Sequence, residues 1–405
     1  MIKKLLFSGV IAALIIAYAL ADCTQANEPS FKAISDASDK FMHKFYKILG
    51  DEKKGNLICS PISVDIVLSM AHFGARGNTE KQIESSLNLP CDKSVTKQGY
   101  QQLIKSLNNT QGVELKLANK IFIDKGASLQ SDFSEITKTY FESETQSVDF
   151  SNANKAAKTI NDWSAEKTNN RITELFKPDD IEGTVMVLVN AVYFKGKWAK
   201  KFNPEYTRLS PFKVDDKTTK DVPMMYKMGK FNYGYIAHLK AQYVELPYEN
   251  NDKNEAVSMF VILPDETSGG IQEVQNNLHL VNWTQLEGIE EEVALHLPKF
   301  KIESKLDLKP TLQNMGITDI FDGTADLSGI IENNKLRVSK IIQKAVIEVN
   351  EEGSEAAAAT GMEFVFMSMP PEIIVNRPFL CAIVKKSMGN HVTTLFVARV
   401  TDPTN

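Results

Sequence analysis

Six histidines are the side chains in this 405-residue chain best suited to general acid–base work, and they stand singly: His43, His72, His238, His279, His296 and His391. A lone histidine is more often structural than catalytic. Neither Gly-x-Ser-x-Gly nor His-Glu-x-x-His occurs, and there is no phosphate-cradling glycine loop or Cys-x-x-Cys. Acidic residues are plentiful, but their spacing places no carboxylate pair across a cleft. No metal or cofactor site is expected. The informative spacing lies instead at residues 344–378, in a segment built to be acted upon.

That segment begins as an apolar strand at residues 345–349. Asn350-Glu351-Glu352-Gly353-Ser354-Glu355 follows, then Ala356 to Ala359, Thr360 and Gly361. Next come Met362-Glu363-Phe364-Val365-Phe366-Met367-Ser368-Met369 and the stop Pro370-Pro371. In isolation the alanine run reads equally as one turn of surface helix, since alanine is the best helix former. A glycine on each side and the lack of a helical apolar stripe count against that. Laid out as a strand, Ser354, Ala356, Ala358, Thr360, Met362 and Phe364 share one uncharged face. Glu355 and Glu363 fall on the other, a pattern that suits a strand burying one side. Yet alanine and glycine are poor strand formers. The segment is suited both to an exposed loop and to an inserted strand.

The elements around it read as α+β. Phe31, Ile34, Phe41, Phe45 and Leu49 recur at helical spacing, and residues 62–73 continue as a second, largely buried helix. Thr79-Glu80-Lys81-Gln82 has the form of a capping box opening a third. Residues 113–117 alternate as a half-buried strand should. Residues 185–194 are almost wholly apolar and rich in β-branched residues, as in a central strand covered on both faces. Strands follow at residues 259–263 and 293–297, each running into a proline, and a hairpin over 379–384 and 393–400 turns at Gly389-Asn390.

Composition narrows the class further. A net charge of −5 leaves no electrostatic footprint for nucleic acid. The basic stretch Lys195, Lys197, Lys200 and Lys201 is interrupted and reads as a solvated face. At the N-terminus, Lys3-Lys4, an apolar run over 5–20 and Ala19-Leu20-Ala21 together have the form of a cleaved signal peptide, residues 1–21. The expectation is a secreted, extracellular product, residues 22–405 as a single domain, without membrane attachment once the signal is removed. Cys59 and Cys381 sit in apolar runs as small buried hydrophobes. Cys23 and Cys91 have polar surroundings, and whether they pair is open. Sequons at Asn108 and Asn282 are glycan sites wherever they are exposed.

Glu351-Glu352-Gly353-Ser354-Glu355-Ala356-Ala357-Ala358-Ala359-Thr360 closely resembles the hinge of inhibitory serpins. The same family is matched in order by Asn56-Leu57-Ile58-Cys59-Ser60-Pro61-Ile62-Ser63 and by Gly74-Ala75-Arg76-Gly77-Asn78-Thr79. Residues 188–198, ending in Trp198, resemble the central strand that runs into the breach tryptophan, and Val375-Asn376-Arg377-Pro378-Phe379 resembles the motif after the loop. The resemblance implies the serpin fold, with three β-sheets, about nine helices and a reactive loop at about 351–371. It implies a serine-protease inhibitor rather than an enzyme, monomeric, whose partner is a target protease. The family's hinge-to-bond spacing puts the reactive bond at Met367-Ser368, with Phe366 as rival, which suits elastase- or chymotrypsin-like enzymes. Ser60, Ser63 and Asn190 match the family's shutter, where the sheet parts, while Gln343 stands where many members carry histidine. The competing reading is a non-inhibitory member acting as carrier or chaperone. The unbroken small-residue hinge speaks against it.

Overall fold

Apolar residues spaced at helical intervals draw the first helix onto the core: Ile34, Phe41, Phe45 and Leu49 are all fully buried on α1 (Ser30–Glu52). The computed structural model describes residues 30–249, 255–266, 270–286, 288–332, 336–352, 370–387 and 391–404. After α1 come β1 (Leu57–Cys59), α2 (Pro61–Gly74), α3 (Gly77–Leu87), α4 (Lys93–Asn108), β2 (Val113–Asp124), α5 (Ser131–Phe141), β3 (Gln146–Val148), α6 (Ala153–Lys167) and α7 (Pro178–Ile181). The chain then turns to strands: β4 (Met186–Gly196), β5 (Arg208–Lys213), β6 (Thr219–Ile236), β7 (Ala241–Pro247) and β8 (Ala256–Pro264). It ends with α8 (Gly270–Asn276), β9 (Ile289–Pro298), β10 (Phe300–Asp307), α9 (Lys309–Asn314), β11 (Lys340–Val349), β12 (Glu372–Ile374), β13 (Phe379–Ser387) and β14 (His391–Val400). Nine helices and early-helix, late-strand order among the described residues bear out the α+β expectation.

The strands form a five-stranded sheet, β10-β11-β4-β2-β3, and a nine-stranded one, β1-β14-β13-β8-β7-β6-β9-β12 with β5 on β6. The larger is two smaller sheets joined by the 18-residue β6, which pairs with β5 at its start, β9 along its middle and β7 at its end. Helix α2 has every residue buried; its Val64, Leu68 and Ala71 belong to the main core between the sheets. On the opposite face of the five-stranded sheet, α6 buries Ala156, Ile160 and Trp163 against Phe122, Val189 and Val346.

Two local expectations need correction. The capping box at Thr79 does not form: α3 already opens at Gly77, at φ 58°, with Arg76 as the cap. Thr79 is buried inside the helix, where its hydroxyl accepts the Asp326 N–H at 3.0 Å. Gln82, the box's other member, instead donates from Nε2 to Asp319 Oδ1 at 2.8 Å. The strand read at 113–117 runs on to Asp124; residues 113–117 are all half-buried rather than alternating, and Ile121, Phe122 and Ile123 are covered on both faces.

Candidate functional site

Two central strands of the smaller sheet, β4 and β11, run parallel and pair from Lys340↔Val187 to Ile347↔Phe194. Midway along this seam Gln343 lies opposite Asn190, and Asn190 lies opposite Asn119 on β2. Three amides thus form one cross-strand row beneath the start of α2. Gln343 Nε2 donates to Asn190 Oδ1 at 2.6 Å and to the Ser60 carbonyl at 2.9 Å, while its Oε1 accepts the Ser60 N–H at 2.9 Å. Asn190 Nδ2 donates to Ser63 Oγ and to Asn119 Oδ1, and Ser63 Oγ donates to Asn119 Oδ1 at 3.0 Å. Ser143 Oγ holds the Asn119 carbonyl at 2.8 Å.

The structure therefore brings together Ser60, Ser63, Asn190 and Gln343, all fully buried. Gln343 acts as both donor and acceptor, and among these groups nothing titrates near neutrality. Buried polar groups hold one another in a single arrangement and are costly to leave half-satisfied. At its midpoint the seam is bridged by exchangeable amide hydrogen bonds, set between buried apolar residues such as Leu188, Val192, Ile341 and Ala345. Asn119 was missed in the sequence; the available signal was an amide interrupting an otherwise apolar strand pattern.

At the upper end of the seam, β4 stops at Gly196. A Cβ there would lie 2.2 Å from the Tyr248 ring, so no larger residue fits. Trp198 stacks on Tyr248 with ring centroids 4.5 Å apart and donates its Nε1–H to the Asn350 carbonyl at 2.8 Å. Glu351 is held there too, accepting from Thr207 Oγ1 at 2.9 Å and pairing with Lys299 Nζ at 2.9 Å. Burial pushes its carboxyl up, but the hydrogen bonds from Lys299 and Thr207 outweigh this and hold it below the usual carboxylate range. Lys195 bridges Glu348 at 3.5 Å and Glu352 at 3.6 Å.

Beyond Glu352 the hinge residues Gly353, Ser354, Glu355, Ala356, Ala357, Ala358, Ala359 and Thr360, and the bond Met367-Ser368 with its rival Phe366, lie outside the described residues. The described chain resumes at Pro370 and adds β12 as the edge strand of the other sheet, beside β9, Glu372↔Ala294 to Ile374↔His296. Residues 353–369 therefore connect the middle of one sheet to the edge of the other.

Elsewhere, Asn108 and Asn282 are exposed, and Asn282 Oδ1 accepts from Thr284 Oγ1 at 2.7 Å. Cys59 and Cys381 are fully buried, and burial pushes the Cys381 thiol up to about 12. Cys91 is exposed, while Cys23 and residues 1–21 lie outside the described residues.

The site is thus a seam of parallel strands with a polar centre, and the described chain leaves its upper end at Glu352. The serpin (serine protease inhibitor) family model matches residues 36–403, and the chain belongs to that family. It is 38% identical to serpin B4 of Homo sapiens, over 92% of this chain and 100% of that protein. It is also 38% identical to the leukocyte elastase inhibitor of Bos taurus, over 91% and 99% respectively. Among solved structures, Serpin48 of the insect Tenebrio molitor superposes with a TM-score of 0.80 at 32% identity, covering 91% of this chain and 98% of that one. The chain is a serine-protease inhibitor, not an enzyme.

Proposed function

We propose that this inhibitor is secreted and traps its target covalently, with residues 353–369 as bait and the β4–β11 seam as the slot that receives them. The seam carries this reading. It is a pair of central strands in parallel register with a hydrogen-bonded polar centre, and the connector leaves from its upper end. In this mechanism the protease serine attacks the Met367 carbonyl carbon, and the Met367-Ser368 peptide bond breaks. Ser368 leaves with a free amino group, and Met367 remains as an ester on the enzyme. The released strand then folds back antiparallel between β4 and β11. Parallel pairing, slightly the weaker kind, gives way to two antiparallel ladders.

Roughly ten new backbone hydrogen bonds contribute ~0.5–1.5 kcal/mol each. Burial of Met362 and Phe364 adds ~1.5–3 kcal/mol per side chain. Together these give a driving force on the order of ten kcal/mol. The small uncharged face of Ser354, Ala356 and Ala358 lets the strand enter quickly, with Gly353 as pivot. Ser60, Ser63, Asn190 and Gln343 serve as the shutter, and Trp198 with Glu351 as the latch at the breach. A methionine, or Phe366 one residue earlier, suits the apolar pockets of elastase- and chymotrypsin-like proteases, and the elastase inhibitor among the relatives supports that choice. Residues 1–21 are removed on export, residues 22–405 act as one monomeric domain, and the exposed Asn108 and Asn282 carry glycans.

Incubating the mature protein with elastase, chymotrypsin and trypsin, then resolving products on denaturing gels, tests this. An SDS-stable complex with either of the first two and a released peptide beginning at Ser368 is expected. A peptide beginning at Met367 moves the bond to Phe366. Clean cleavage without complex at any enzyme ratio overturns trapping and leaves a non-inhibitory role.

A further inference from the structure

At the end of α2 remote from the seam, the fold assembles three side chains that the sequence keeps apart. His72 is in the last turn of α2, and Glu80 and Glu84 lie one turn apart on α3. His72 Nε2 is 3.6 Å from Glu84 Oε2 and 4.0 Å from Glu80 Oε1, and ligand atoms of all three lie within 4.8 Å of one another. Among the described residues it is the one group of histidine, cysteine and acidic side chains that converges in this way.

Acidic neighbours alone would be unremarkable on a helix surface. The imidazole is the second observation. His72 is only 1% exposed, and neither of its ring nitrogens has a hydrogen-bond partner among the described residues. Buried ring nitrogens ordinarily find partners, and one without them calls for a missing group. Its Nε2 is aimed at two carboxylates at distances too long for a hydrogen bond and suited to a shared ion.

We propose that His72, Glu80 and Glu84 form a three-ligand site for a divalent transition metal of the zinc class, with water completing the coordination. Tetrahedral zinc with nitrogen and oxygen ligands at ~2.0–2.2 Å sets those atoms about 3.4 Å apart, so the 3.6 and 4.0 Å separations need little closing. One imidazole with two carboxylates is a hard-to-borderline donor set that suits zinc, cobalt or manganese better than copper(I). The two glutamates are partly exposed, which gives an ion a route in while the histidine closes the inner side. One cation already contests the site: Lys93, at the start of α4, is ion-paired with Glu80. Arg76 is also near, but its guanidinium is engaged by the Phe73 and Ala75 carbonyls at 3.0 and 2.7 Å. A bound metal would replace Lys93 on Glu80 and tie the end of α2 to α3.

The test uses the full-length protein, stripped with a chelator and then titrated with cobalt(II) and followed by its visible absorption. Zinc is then added to displace the cobalt. One equivalent of bound cobalt, displaced by zinc, is expected, together with a zinc-dependent rise in melting temperature. Glu84→Gln and Glu80→Gln change partly exposed side chains and should each weaken binding roughly tenfold or more, by loss of a ligand. Lys93→Ala should tighten it, by freeing Glu80. Absence of a one-to-one cobalt signal in the parent overturns the proposal. So does binding that both glutamine variants leave unchanged, since the metal would then sit elsewhere on the surface.

Discussion

The two sheets close their central strands in opposite ways. In the nine-stranded sheet, β13 pairs antiparallel with both β8 and β14, and Leu380, Ile383, Phe260, Ile262 and Leu395 are all fully buried. The deeply buried Arg399 guanidinium there is occupied by backbone carbonyls of Gly50 and Gly55 at 3.0 and 2.9 Å. In the five-stranded sheet the central pair is parallel, and its midpoint is the amide row Asn119, Asn190 and Gln343. Apolar interdigitation has no alternative partner and is lost outright when strands separate. Amides, in contrast, can exchange one partner for another. Under the proposed mechanism, this difference marks the nine-stranded sheet as the permanent one and the five-stranded sheet as the one that opens.

Cleavage of the loop should separate the two most sharply. If the freed strand enters the β4–β11 seam, the gain on the order of ten kcal/mol should raise the melting temperature by roughly 10 °C or more. Calorimetry of intact and nicked protein reads this directly, and a nicked form melting at or below the intact one removes insertion from the mechanism. The permanent sheet should be indifferent to the cut. Phe260→Ala, in β8 against Trp283 at 5.3 Å, should cost about 3–5 kcal/mol in intact and nicked protein alike. Unequal losses would show that the nine-stranded sheet is also remodelled.

The permanent sheet was also the more legible in sequence. The strands at 259–263 and 293–297 and the closing hairpin were marked by apolar runs ending at prolines or a glycine turn, and β8, β9, β13 and β14 extend them by a few residues. The apolar run at 185–194 likewise gave β4 nearly to the residue. What could not be read was partnership. Asn119, Thr207 and Lys299 are 52 residues or more from Ser63 and Glu351, the groups they hold, and no local pattern encodes that. Nor could the capping-box pattern at Thr79 reveal that Asp326 would claim the hydroxyl. Ser60, Ser63, Asn190, Gln343 and Trp198 were singled out through family resemblance, and their spacing alone would have passed as ordinary core.

Behind the seam, α2 carries a further polar group whose effect depends on pH. Asp65 is fully buried; burial pushes its carboxyl up to about 7, against the hydrogen bonds from Ser38 and Tyr100. A carboxyl raised above its ordinary value of 3.8 binds its proton more tightly in the folded state. The stability it lends is full below that value and is lost as pH rises through about 7. Asp65→Asn should therefore flatten the decline in unfolding free energy between about pH 4 and 7, an effect on the order of four kcal/mol. At pH 8 the variant should be the more stable, and the gap should shrink toward pH 4 in urea titrations. An unchanged slope would mean that the buried carboxyl ionises without penalty.

The smallest effect is the most discriminating. In the intact protein Gln343 and Asn190 lie opposite each other on adjacent strands and share a hydrogen bond of 2.6 Å. Neighbouring strands are about 4.8 Å apart, so a strand inserted between them doubles the separation to about 10 Å. Both side chains point to the same face of the sheet and could not span that gap. A double-mutant cycle of Asn190→Ala and Gln343→Ala should give a coupling of about 0.5–1.5 kcal/mol in intact protein and close to none after cleavage. Asn190 with Asn119 is the control, because β4 and β2 stay neighbours whichever way the seam moves. Coupling between those two should survive the cut. If the Gln343–Asn190 coupling survives as well, the strands have not parted, and the extra stability of the cleaved form would need another source.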